Sequence, residues 1–310
     1  MHATAQAIDA EPHAKRNEEF RRIGWDIDRD VIRGRTFDFG QKFLPDDMSQ
    51  VDRLPFLAAD ERKLLSQIEG RTYANMYGLI ERVAGAKILA LRRARSRHDG
   101  ALSALVRFAN EKLKHREMFR RIEWLIAEGM ASGYRFVPQT DDVEEFVLGK
   151  STWAVLALIC HFEAVKHVHY GNSITRDAQL SDLYKDVLFF HWMEESPPPS
   201  LAELEWRRED LGLGAAKRDD AVNDLIELIQ GVDALLVFQA PEDVAYLVAA
   251  CGRAFTPAQI DRLGEAVLSA YRRQFIGSGT EEPYFGEVLG KLVSAEQAAR
   301  IGTELAPIMQ

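Results

Sequence analysis

Almost no stretch of this chain alternates apolar and polar residues with period two, whereas apolar positions recur at helical spacing along most of its length. That pattern leaves little room for half-buried strands and sets the fold class as all-α. The clearest run is 59–94. There Leu64, Leu65, Ile68, Tyr73, Met76, Leu79, Ile80, Val83, Ile88 and Leu89 form one 3.6-residue stripe. A turn at 95–100 and a second helix at about 101–129 follow. After a Gly133/Pro138 loop comes a third helix that ends near Gly171, and then a connection to Asp177. A fourth helix covers about 180–195, and Pro197, Pro198 and Pro199 interrupt it. Helical patterning resumes at LAELEW and, beyond Gly214, in AVNDLIELIQGVDALLVFQ and then PEDVAYLVAACGRAF. Thr256–Gln259 and Ser294–Gln297 read as capping boxes that open two further helices.

This divides the chain into an N-terminal arm and wrap (1–58), a helical core (59–205) and C-terminal helices packed on that core (206–310), as a single globular unit. Residues 1–20 read as a polar arm. Residues 21–58 mix Trp25, Phe37, Phe39, Phe43 and Phe56 with prolines, as a wrap of loops and short turns would. With 39 basic against 48 acidic residues, nucleic acid is not expected as a partner. Two distant cysteines make neither a disulfide framework nor a cysteine zinc site. The first 20 residues lack an apolar core and a cleavage pattern, so no signal peptide is expected. No apolar run is long enough to span a membrane. A cytoplasmic location is the expectation.

Four of the helices carry a Glu, a His or both near mid-length: Glu81, then Glu111 and His115, then Glu163, then His191 and Glu195. At 1.5 Å per residue, Glu81 and His115 both lie about 22–26 Å from the 95–100 turn, at one level of an antiparallel pair. Glu163 and His191 share a level within about one turn of helix in the same way. Glu111–His115 and His191–Glu195 are i,i+4 pairs, so each pair points one way. Their neighbours Leu105, Phe108, Met118, Phe119, Leu188, Phe189 and Trp192 are apolar, so that way is inward. Acids buried among apolar residues are expensive unless cations meet them. Four carboxylates and two imidazoles suit two iron or manganese ions.

The segments FLPDDMS, SQIEGRTYANMYGLIERV, KLKHREMFRRIEW, KSTWAVLALICHFE, DVLFFHWMEES and AELEW resemble the ferritin-like di-iron proteins, in the branch that contains p-aminobenzoate N-oxygenase. The resemblance covers most of residues 25–305 and implies a ferritin-like four-helix bundle core with additional C-terminal helices. In that branch helix one gives a Glu, helix two Glu-x-x-His, helix three a Glu and helix four His-x-x-x-Glu-x-x-His. Glu81, His115, Glu163, His191 and Glu195 match these positions. Two positions depart: Lys112 stands where the Glu of Glu-x-x-His is expected, and Pro198 where the last His is expected. An ammonium repels a metal ion and proline cannot ligate one. Glu111 is a substitute carboxylate, although its position is about 100° around the helix from that of Lys112. His167, i,i+4 to Glu163, is a substitute imidazole.

The resemblance therefore implies an iron protein with one or two ions, manganese being the other candidate, that activates O2 to oxidise a small organic substrate. Against it stands a catalytically silent, metal-free relative, a pseudoenzyme acting as a binding or scaffold protein, in which Lys112 salt-bridges Glu81, Glu163 or Glu195 in place of an ion. A third reading is a single-metal site of His115, His191 and one or two carboxylates, open to zinc or manganese as well as iron. A homodimer is expected by analogy alone.

Other residues have plainer readings. His161, His167 and His169 surround Glu163 but are expected to face solvent or a partner helix. The basic run Arg92, Arg93, Arg95 and Arg97 suits a solvated helix end. Trp124, Trp153 and Trp192 are expected in the core, and Tyr73 and Tyr77 as packing or pocket lining. No Gly-rich phosphate loop, GxSxG or HExxH motif is present.

Overall fold

The computed structural model describes residues 24–94, 99–194 and 200–309. Among them the regular structure is helical, with no strand. The expected arm at 1–20, the side chains of the basic run 92–97, and Glu195 and Pro198 lie outside the described residues. The principal helices are α1 (Ala59–Ala94), α2 (Asp99–Gly129), α3 (Thr140–Leu148), α4 (Thr152–Val168), α5 (Asp182–Glu194), α6 (Leu201–Leu211), α7 (Ala215–Cys251), α8 (Pro257–Arg272), α9 (Pro283–Leu292) and α10 (Ala295–Leu305). None is long and apolar enough to cross a membrane among the described residues.

Helices α1 and α2 form an antiparallel hairpin whose register can be read from its cross-contacts. Arg71 pairs with Glu123, Tyr77 packs on Phe119, Glu81 faces His115, and Gly85 lies against Lys112. Each step of one turn up α1 is matched by one turn down α2, so the positions placed level by rise per residue do meet. Helices α4 and α5 run antiparallel too: Trp192 bonds to His167, while Tyr170 packs on Phe189 and stacks on Trp192.

Every residue of α4 from Trp153 to Lys166 is buried. A helix apolar on all sides belongs at the centre of a fold, and α4 is covered by α6, α7, the short helix Ser278–Glu281 and α9. The third helical run is not continuous from 140 to 171. It breaks at Gly149–Ser151, where the Ser151 side chain caps α4 by accepting from the Ala154 N–H. The stretch after His169, expected as a loop from Gly171, continues as a π turn (His169–Ser173) and a 3-10 turn (Ile174–Arg176). Conversely, α7 runs unbroken through Pro241, where two segments were expected. The lost bond would have ended on the Val237 carbonyl, on a face where Val237 and Phe238 are exposed and water can replace it. Both capping boxes form.

The wrap is pinned to the helices by polar contacts. The Ser66 hydroxyl meets the N–H groups of Phe43 and Leu44, and the Gln67 amide donates to the Phe39 and Gln41 carbonyls. The C-terminal helices join through Asp243 of α7, which accepts from Thr72 of α1 (2.7 Å) and from Tyr271 of α8. One apolar core runs from Trp25 to Ile308. Trp153 is buried within it, but Trp124 is 58% exposed, contrary to expectation. On the antiparallel hairpin, Trp124 falls on the face of α2 turned away from α1.

Candidate metal centre

Glu81 is the hub. Its Oε1 accepts from His191 Nε2 (2.9 Å) and from Lys166 Nζ (3.3 Å). Its Oε2 faces Lys112 Nζ (3.5 Å) and His115 Nδ1 (3.6 Å). Helix α1 brings Glu81 here because its apolar stripe, from Leu65 and Ile68 to Val83 and Ile88, turns this face inward. Burial pushes the Glu81 carboxyl up, but the Lys112 and Lys166 charges and the two imidazoles outweigh it. The group sits well below the usual carboxylate range and is ionised.

From α2 come Glu111, Lys112 and His115, all buried. Lys112 Nζ lies 3.5 Å from Glu81, 3.8 Å from Glu163 of α4 and 3.9 Å from Glu111. One ammonium thus occupies the middle of three carboxylates. The other ring nitrogen of His115, Nε2, lies 3.0 Å from Glu194 of α5. Burial pushes this imidazole down, yet Glu194 and Glu81 raise it above its ordinary value. His191 differs: burial and the Lys166 charge push it down to about 3, so it is neutral at pH 7. A neutral imidazole is the form that binds metals.

Aromatic rings fix both imidazoles. Trp25, from the wrap, stacks on His115 at 6.1 Å, with Lys114 Nζ over its own ring at 3.8 Å. Phe119 and Tyr77 pack edge-on against His191 at 4.8 and 5.0 Å. One ligand atom each from Glu81, His115 and His191 lies within 4.8 Å of the others, a separation that could hold one metal ion.

The site gathers Glu81, Glu111, His115, Glu163 and His191 of the expected set. Glu195 and Pro198 lie outside the described residues; Glu194, one position earlier, is the carboxylate that meets His115. His167 lies elsewhere: its Nδ1 accepts from Trp192 Nε1 at 3.0 Å, which leaves its proton on Nε2. His161 and His169 are buried rather than solvent-facing. His161 Nε2 bonds to the Phe275 carbonyl (3.0 Å), and His169 bridges Tyr73 (3.0 Å) and Ser278 (3.1 Å). Both tie α4 to the C-terminal helices. Sequence reasoning missed Lys166 and Glu194. The signal for Lys166 is its place i,i+3 to Glu163, on a helix with almost no other charge.

The charges limit what the site can take. Glu81, Glu111, Glu163 and Glu194 face Lys112 and Lys166, with Lys114 reaching Glu194 from the rim. Among the described residues, cationic side chains thus already lie amid the acids that a metal ion would meet. No protein-family model, no curated protein and no solved structure matches this chain.

Proposed function

We propose that this is a ferritin-like protein with a single metal ion, held by Glu81, His115 and His191 with Glu194 beside them. Lys112 takes the place of a second ion. The observation that carries this reading is the buried two-histidine, one-carboxylate group whose ligand atoms lie within 4.8 Å of one another. That donor set, with coordination positions left open, is the one non-haem iron(II) oxygenases use, so iron is the first candidate and manganese the second. When bound, iron supplies O2-dependent oxidation of a small organic substrate. The protein's own groups orient the ligands: Trp25 and Phe119 hold the imidazole planes, and Lys166 and Lys112 hold Glu81 ionised. Because His115 is drawn toward its charged form, metal entry must displace a proton there.

The test is metal content after anaerobic loading with Fe(II), Mn(II) or Zn(II) and removal of excess. One ion per chain is expected, and His191→Ala and Glu194→Gln should both lower it. Two ions per chain would contradict the role given to Lys112. A second reading has a specific observation behind it: Lys112 lies amid three carboxylates and Glu194 meets both Lys114 and His115, so the acids have partners without any ion. On that reading no metal is retained under any loading, and the chain is a silent binding or scaffold member of its fold.

A further inference from the structure

A cavity of about 180 Å³ lies beside the centre, between α4, α6 and α9. Its wall includes Trp206, Phe285 and Tyr284, and three carboxylates, Glu163, Glu203 and Glu282. None of its described lining side chains is Lys or Arg. For scale, a dry engineered cavity of about 150 Å³ admits benzene, so this one is sized for a molecule of about one ring. From this cavity we infer a binding site for a small organic cation, a ring-sized molecule bearing an ammonium group.

The chemistry of the wall points that way. Trp206 and Phe285, stacked on each other at 6.1 Å, are among the lining, and aromatic rings attract cations. Glu203 is 4% exposed, and its Oε1 accepts from Tyr284 Oη (3.0 Å) and from Arg207 Nε (2.7 Å). Arg207 reaches it from outside the cavity lining, so the carboxylate is oriented from behind. Its charge also pushes the Tyr284 phenol up to about 12, after burial, so Tyr284 enters the wall as a neutral hydroxyl. Glu282 caps α9 by accepting from the N–H groups of Tyr284 and Phe285, and Glu163 faces Lys112. A carboxylate ligand would meet three acids in this wall, whereas an ammonium would be drawn to them and to the aromatic rings.

Glu163 belongs both to this wall and to the charged centre. That the bound cation is the centre's substrate rests on the function proposed above; that the cavity takes a cation does not. The experiment is calorimetric titration of the full chain with benzylammonium, benzyl alcohol and benzoate, in iron-loaded and chelator-treated protein. Benzylammonium should bind one per chain in both forms, at least about tenfold tighter than benzyl alcohol, with no binding of benzoate. Glu203→Gln should weaken benzylammonium about tenfold and leave benzyl alcohol unchanged. Should that variant fail to fold, Val288→Phe, which fills the cavity, should abolish binding of both. Benzoate or benzyl alcohol binding as tightly as the ammonium, or no ammonium binding, overturns the inference. Metal content on the same samples separates the two failures: iron without ammonium binding leaves the centre standing, and ammonium binding without iron leaves the cavity standing.

Discussion

Replacing Lys112 by Met removes one buried charge and little volume, so the cavity contribution is small. The ammonium has three carboxylates at 3.5, 3.8 and 3.9 Å. At an effective dielectric of about 20, each such contact is worth about 4 kcal/mol before desolvation. Burying the ammonium itself costs several kcal/mol, so the pair energies do not appear in full. Breaking a buried ion pair by removing one partner typically loses about 3–5 kcal/mol, because the remaining charge is left uncompensated. For a chain of 310 residues that corresponds to a fall in Tm of about 5–8 °C at pH 7. The deficit should narrow on acidification. Glu81 titrates below its unfolded value, so its contribution is present above that value and is lost as pH falls through the lower one. Divalent metal should restore stability more in the Met variant than in wild type, since an ion then supplies the missing charge. The assay is a set of thermal melts at pH 7 and below pH 4.5, with and without metal. A Lys112→Met protein as stable as wild type at pH 7 would refute the claim that this lysine balances the acids.

Other expectations concern separate parts of the fold. Burial pushes Asp243 up to about 7, against the hydrogen bonds from Tyr271, Thr72 and Gln239. A carboxyl that holds its proton longer in the fold than in the unfolded chain makes stability fall as pH rises from about 4 to 7, by at most about 4 kcal/mol. Asp243→Asn should flatten that slope in urea titrations; parallel slopes would count against it. A Cβ at Gly279 would overlap the His161 ring and disturb its bond to the Phe275 carbonyl, so Gly279→Ala should lose about 1–3 kcal/mol by melting without changing metal content. Trp25→Ala removes the ring that covers His115 and should speed chelator extraction of the loaded ion; an unchanged rate would remove Trp25 from the site.

The meeting of four helices at one level was legible because rise per residue and a short turn are enough to set it. Glu81 against His115, and α4 against α5, follow from counting residues to the connections. Interruptions were harder to read, because their cost depends on surroundings that only the fold provides. Pro241 passes inside α7, since the carbonyl it leaves unbonded lies on an exposed face. The break at Gly149–Ser151 comes from a serine cap further held by Asp224, 73 residues later. Trp124 was assigned to the core by residue type, although its neighbours place it outward.

Within the site, uncertainty concentrates wherever two charged residues are adjacent in sequence. Adjacent helix positions differ by about 100°, and a long side chain can undo most of that difference. Glu111 and Lys112 both reach the centre, as the two readings of the sequence separately place them. At the end of α5, Glu194 meets His115 and Lys114, while Glu195 lies outside the described residues. Lys166 went unread since a single lysine on an apolar helix is normally assumed to find its way to water. Here it finds Glu81 instead. Glu81, His115 and His191 alone are compatible with one ion or two, and the single-ion proposal rests on Lys112 and Lys166, whose ammonium groups already stand among the acids where a second ion would sit.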